Sequence, residues 1–202
     1  MRFDLTAVLI LSLALPAGAQ GLPDRFDRPV AAAGPDAALF DAAVLTLVNA
    51  ERRRAGLRPL GADPKLRQVS LTQAAAMAKA RRMTHRLSEA KPARLSGRLD
   101  AAGVRYRRAG ENIAMDKLFQ LVGRPIAVKR AGCAFTYADD GAPVPIHSHG
   151  SLAQSVVARW MASPGHRANI LTASFRRTGA AAAVDPKGPA CGDVYLVQAF
   201  AE

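Results

Sequence analysis

The eight residues from Val194 to Ala201 constrain this chain more than any other segment. They alternate as a strand does, with Val194, Leu196, Gln198 and Phe200 on one face and Tyr195, Val197 and Ala199 on the other. Both faces are largely apolar, so the strand is expected to be central in its sheet and covered on both sides. A second strand is expected over Thr178 to Val184. The link from Asp185 to Asp193, with Pro186, Gly188, Pro189 and Gly192, then closes a hairpin.

Helices precede these strands. Leu39, Phe40, Ala43, Val44, Leu47 and Val48 recur at helical spacing and predict a helix from about Asp36 to Arg54, with Gly56 as its terminal cap. Asp63-Pro64 reads as an N-cap followed by a first-turn proline. The helix it opens should run to about Met83, with Leu66, Val69, Ala76, Met77 and Ala80 facing inward and His85 just beyond its end. A short helix is expected over Pro92 to Ala101. Another should start at Ser148 or Ser151, where Leu152, Val156 and Trp160 form a stripe that is normally core. Residues 116–150, with Gly, Pro, Cys133 and the His147-Ser148-His149 run, read as an irregular insert.

The N-terminus sets the compartment. Arg2, a short apolar run ending at Leu15, Pro16 and then Ala17-Gly18-Ala19 have the order of a secretory signal peptide, residues 1–19, cleaved before Gln20. The run is shorter than the about 20 residues a membrane span needs, and no later stretch of the sequence is long and apolar enough for one. Cleavage leaves 183 residues, enough for one domain. Residues 20–35 carry Gly and Pro without periodicity and read as a loose arm.

Two cysteines, Cys133 and Cys191, in a chain bound for an oxidising compartment are expected to form one disulfide. The formal charge is +12 and the pI about 10.8, which suits anionic partners such as lipid headgroups or acidic envelope polymers, or reflects a generally Arg-rich composition, the reading that the spread of the arginines favours. The arginines stand in small, separated groups without interleaved aromatic residues, which argues against a nucleic-acid groove.

Four stretches then arrive in order. They are Leu47-Val48-Asn49 through Leu66; Thr84-His85; Gly110-Glu111-Asn112-Ile113-Ala114; and Trp160-Met-Ala-Ser163-Pro-Gly-His166-Arg-Ala-Asn169-Ile-Leu171, with Phe175 and Gly179 after them. Over about Leu39 to Ala201 this order resembles the CAP superfamily of cysteine-rich secretory, antigen-five and pathogenesis-related proteins, in its bacterial SCP-like branch. The resemblance implies an α+β fold, a three-layer α-β-α sandwich with a small, mostly antiparallel sheet, spanning residues 36–202 as one domain. It also implies a cleft holding His85, Glu111 and His166. Where members of the family often place a second acid, this chain has Ser163. Asn112, Trp160 and Asn169 are expected to be structural.

The chemistry of the trio stands beside the resemblance. Neutral imidazoles bind Zn²⁺, and a carboxylate next to a histidine fixes its tautomer. His85 and His166 are therefore candidate ligands for weakly bound zinc, one short of a catalytic site with three protein ligands. The same three residues also suit a polar network that locks the cleft walls. His147 and His149 are expected to be exposed, or to add a ligand.

Three functions follow as expectations. The first is a non-catalytic module binding a lipid, glycan or peptide in the cell envelope, secreted or periplasmic, and monomeric. The second is a hydrolase assisted by metal or histidine. The third is a basic envelope protein that meets anionic polymers. The absence of a Gly-x-Ser-x-Gly nucleophile motif and of the second cleft acid favours the first.

Overall fold

A computed structural model describes residues 22–88, 91–121, 123–129, 134–189 and 191–202. The expected signal peptide and Cys133 lie outside the described residues.

The final strand organises everything else. β6 (Asp193–Ala201) pairs antiparallel along its length with β5 (Arg177–Asp185) on one side and with β2 (Ala109–Lys117) on the other. All of its residues are buried. A two-residue strand, β1 (Gly61–Ala62), adds parallel to β5, giving the sheet order β1-β5-β6-β2. Helices α1 (Ala37–Arg54) and α4 (His149–Ala162) cover one face. There Val194, Leu196 and Phe200 pack with Phe40, Val44, Val48, Leu152, Val156 and Trp160. Helices α2 (Pro64–Ala80) and α3 (Leu95–Ala101) cover the other. There Tyr195 and Val197 meet Met77 and Leu87, and Ala199 and Ala201 meet Leu66, Val69 and Leu99. The result is the expected α+β, three-layer sandwich. Each large side chain removed from water in these two cores contributes roughly 1.5–3 kcal/mol.

Local chemistry sets the helix limits. The Asp36 carboxylate accepts from the Ala38 and Leu39 amides at the start of α1. Asp63 does the same for Lys65 and Leu66 ahead of Pro64. Helix α2 ends at Ala80, three residues before the expected limit. Arg81 turns left-handed (φ 52°), and the Arg82 amide donates to Met77 O, closing the helix as a glycine usually would. An ion pair from Arg81 to Asp185 holds the turn. The two candidate starts of α4 cooperate: Ser148 and Ser151 cap each other's amides in a capping box.

Several expectations need correction. The arm is not loose: residues 24–27 form a 3₁₀ turn, Phe26 and Val30 are buried in the main core, and Pro29 pairs with Ser148. Within 116–150, β3 (Ile126–Lys129) and β4 (Ala134–Tyr137) form an antiparallel hairpin. Arg124 lies over the Tyr137 ring there and pairs with Asp139 and Asp140. Phe119 packs on Phe135 within the insert, and Leu118 and Phe119 join the main core, which anchors it. Few of its residues repeat with a fixed period, which hid it. The third helix begins at Leu95 and not at Pro92. Gly110-Glu111-Asn112, to which the sequence assigns no element, is strand, because pairing with β6 overrides the weak strand propensity of those residues. Pro164 starts a separate helix, α5 (Pro164–Ile170), and His166 sits on it.

Candidate functional site

The site forms where α4 and α5 close the outer edge of β2. Alternate carbonyls of a strand point to the same edge. On β2 those of Glu111, Ile113 and Met115 point outward, and each accepts from a side chain: Asn169 Nδ2 at 3.3 Å, Trp160 Nε1 at 3.2 Å and Arg159 Nη1 at 2.8 Å. This caps an otherwise open edge. Asn112, fully buried, donates from Nδ2 to His166 O at 3.2 Å and accepts from Asn169 Nδ2 at 2.8 Å. Gly110 leaves room for this: a Cβ there would stand 3.0 Å from Asn169 Oδ1 and 3.1 Å from Phe175 Cζ. The third and fourth sequence stretches are therefore two halves of one hydrogen-bonded unit, with Asn112, Trp160 and Asn169 as its ties.

Glu111 points its carboxylate to the opposite side of the strand from its neighbour Asn112. Oε1 lies 3.0 Å from His85 Nδ1, and Oε2 accepts from Arg98 Nη2. The Glu111 and Arg98 side chains are 3% and 2% exposed, whereas His85 is 57% exposed. Arg98 also donates to Ala93 O. A carboxylate can only accept, so neutral His85 carries its proton on Nδ1 and presents its lone pair at Nε2. His166 stands within electrostatic reach of His85. Burial and then the His85 charge hold its pKa below the ordinary histidine value. Neither ring nitrogen of His166 bonds to a described residue. Ser163 sits at the junction of α4 and α5, with no cap bond from its hydroxyl.

The remaining candidates go elsewhere. His149 is buried: Nδ1 donates to Arg28 O at 2.6 Å and Nε2 accepts from the Asp36 amide at 2.9 Å. His147 is also buried, with Nδ1 2.9 Å from Ser151 Oγ, and burial lowers its pKa. The expected exposure is thus corrected: both hold the arm and the start of α4 in place. Cys191 precedes β6. Among the described residues no group of three or more His, Cys, Asp or Glu side chains is arranged to hold a metal ion.

Two arginines were missed by the sequence reading. Arg98 follows Leu95 by three residues on a short helix whose inner face includes Leu99, so an arginine on the apolar face was the available signal. Arg52 continues the Val44, Val48 spacing, yet it is fully buried and donates to Arg58 O, Ile170 O and Thr172 O.

Comparisons with known proteins agree with this architecture. The sequence model of one family, described as "CAP: Cysteine-rich secretory protein family", matches residues 45–200. No curated protein matches the chain. Among solved structures, an extracellular SCP-domain protein from Bacillus anthracis superposes with a TM-score of 0.57 at 19% identity, covering 90% of this chain and 44% of its own. An outer surface protein from Borrelia burgdorferi gives 0.54 at 16%, covering 83% and 95%. A cysteine-rich secretory protein from Staphylococcus aureus gives 0.50 at 16%, covering 83% and 40%. The chain spans less than half the length of the Bacillus and Staphylococcus proteins, and at these identities the likeness shows the fold. With a family match over most of its length, on a sandwich whose β2 edge is tied by the matching motif residues, the chain belongs to the CAP family of cysteine-rich secretory proteins.

Proposed function

We propose that this protein is an exported CAP-domain module of the cell envelope that binds a lipid, glycan or peptide non-catalytically at the His85–Glu111–His166 cleft. One observation carries the reading. Both Glu111 oxygens are engaged, one by His85 and one by buried Arg98, and Ser163 stands where a second acid would be. A carboxylate that is 3% exposed, with both oxygens already occupied, is poorly placed to take a proton from a substrate. The extracellular or surface character named for the Bacillus and Borrelia proteins supports export, as do the A-x-A pattern and the short apolar run of residues 1–19. The even cysteine count supports a Cys133–Cys191 disulfide.

The two imidazoles also suit weak Zn²⁺ binding. Glu111 orients His85 so that its Nε2 lone pair is available, and the depressed pKa of His166 keeps that ring neutral. Bound zinc would supply Lewis acidity, but two imidazoles are one ligand short of the usual catalytic set. Calorimetry at neutral pH should show a weak Zn²⁺ response that disappears in the His85→Ala, His166→Ala double variant. An identical response in both proteins refutes the metal site.

The ligand itself is tested by mass spectrometry of material that co-purifies from the native envelope. Wild type should retain a molecule that the double variant loses. Hydrolysis of a broad ester, amide and glycoside panel by wild type, abolished in the double variant, would overturn the non-catalytic reading.

A further inference from the structure

Three arginine groups far apart in the sequence, at 52–58, 105–108 and 176–177, meet at one end of the sheet. Ala109 and Arg177, the first residues of β2 and β5, both pair with Ala201, the last of β6. Arg108 O accepts from the Glu202 amide at 2.9 Å, and the Arg176 amide donates to Ala201 O at 3.0 Å. Gly61, entering β1, donates to Arg176 O at 2.8 Å. Buried Arg52 ties the end of α1 to the same region through Arg58 O, Ile170 O and Thr172 O. The loops into β1, β2 and β5 and the last turn of α1 therefore share one end of the molecule.

That end holds Arg53, Arg58, Arg105, Arg108 and Arg176, all exposed, and none of them forms an ion pair with a described residue. The acids brought there by the same contacts are already engaged: Glu51 with Arg54, Asp63 with Arg177, and Glu202 with Arg107. The opposite end is different. Its row of paired residues, Lys117, Asp193 and Asp185, joins Asp116 in three ion pairs, Lys117–Asp193, Arg81–Asp185 and Arg159–Asp116. This end therefore carries unpaired cations where the opposite end of the strands carries matched pairs.

We infer that this basic end is a docking surface for an anionic phospholipid membrane. Its guanidinium groups come from separate loops spread across the ends of adjacent strands, a distribution that matches a planar sheet of phosphates better than a single thread. The exposed large apolar residues, Met83, Met115, Val128 and Ile146, belong to other segments, so attachment is by charge and not by insertion. Such attachment is reversible and weakens as salt rises. The surface is separate from the reading of the cleft and stands if that reading fails.

Co-sedimentation of the exported protein with vesicles tests it. Wild type should bind an equal mixture of phosphatidylglycerol and phosphatidylcholine at low salt, and not phosphatidylcholine alone. The Arg53→Gln, Arg58→Gln, Arg105→Gln variant removes side chains that make no hydrogen bond, so it should melt as wild type does. Its vesicle affinity should fall on the order of a hundredfold, the product of three surface-charge contributions. A second variant, Arg54→Gln, Arg107→Gln, Arg108→Gln, should also lose affinity. A control of equal charge change, Lys79→Gln, Lys91→Gln, Lys187→Gln, should bind within a few-fold of wild type. Equal loss in the control, binding to phosphatidylcholine alone, no vesicle binding by wild type, or tighter binding to duplex DNA than to vesicles at the same salt would each overturn the proposal.

Discussion

The two long edges of the sheet are closed by different means. At the β2 edge, Asn169, Trp160 and Arg159 donate to outward carbonyls, and a buried ion pair sits behind them. On the β5 side, α2 comes so close that a Cβ on Gly179 would meet Arg67 N at 2.1 Å. The Ala180 amide, left open by the short β1, donates to buried Asp41 Oδ1 at 2.8 Å. An edge closed by polar side chains can hold ionisable groups beside a cleft, because their hydrogen-bonding needs are met locally. The β5 side also holds an ionisable group, Asp41, but its carboxylate is spent on the Ala180 amide and on Arg67. At the β2 edge other side chains cap the backbone, which leaves the Glu111 carboxylate to meet His85 and Arg98.

The largest test of this contrast is Trp160→Ala. It removes a buried ring and the cap on Ile113 O, and should cost about 3–5 kcal/mol in urea unfolding. A loss below about 1 kcal/mol would show that the edge does not depend on it. Arg98→Met leaves the Glu111 carboxylate buried with only His85 beside it, and should cost a similar about 3–5 kcal/mol. Adding Glu111→Gln to that variant should restore most of the loss, since the uncompensated charge is then gone. Failure to recover would mean that Arg98 acts through packing and not through Glu111.

The same small change made at both edges sharpens the comparison. Gly179→Ala forces α2 away from β5 and should cost about 1–3 kcal/mol or more, read from the thermal midpoint. Gly110→Ala meets side-chain ends at 3.0–3.1 Å, which can give way, and should cost less. Reversal of that order would contradict the backbone-contact reading.

The smallest expected effect is on pH dependence. His147 and His166 have folded pKa values below the ordinary 6.5, mainly through burial. The unfolded chain then binds more protons as pH falls below about 6.5, so this contribution to stability is present at pH 7 and lost on acidification. Asp41 has the opposite sign: burial raises its pKa above 3.8, so the folded state holds its proton longer and stability declines as pH rises through that window. His147→Gln should flatten the loss between about pH 7 and 5. An unchanged slope in urea midpoints would exclude His147 as a contributor.

Much of this molecule is legible before any coordinates. The double-faced apolar pattern of 194–201 requires cover on both sides, and β6 has it. Asp36, Asp63-Pro64 and Ser148 mark helix starts through capping that acts within a few residues. The arm and the 116–150 insert were misread for one shared reason. Phe26 and Phe119 are single aromatic residues without periodicity, and they gain meaning only from packing in the main core, whose other members lie far along the chain. Among site residues, His85, Glu111 and His166 stand in motifs, whereas Arg98 does not.

The sequence by itself determined the alternation of the central strand, the helix caps, the order of motifs and the total charge, because each depends on neighbours within a few residues or on a simple sum. Only the tertiary structure decided that Arg98 neutralises Glu111, that His147 and His149 are buried ties, and that arginines distant in sequence share one end of the sheet. Those facts follow from strand register and helix placement. A one-residue shift of β2 against β6 would turn Glu111 to the other face, leaving Arg98 without its carboxylate.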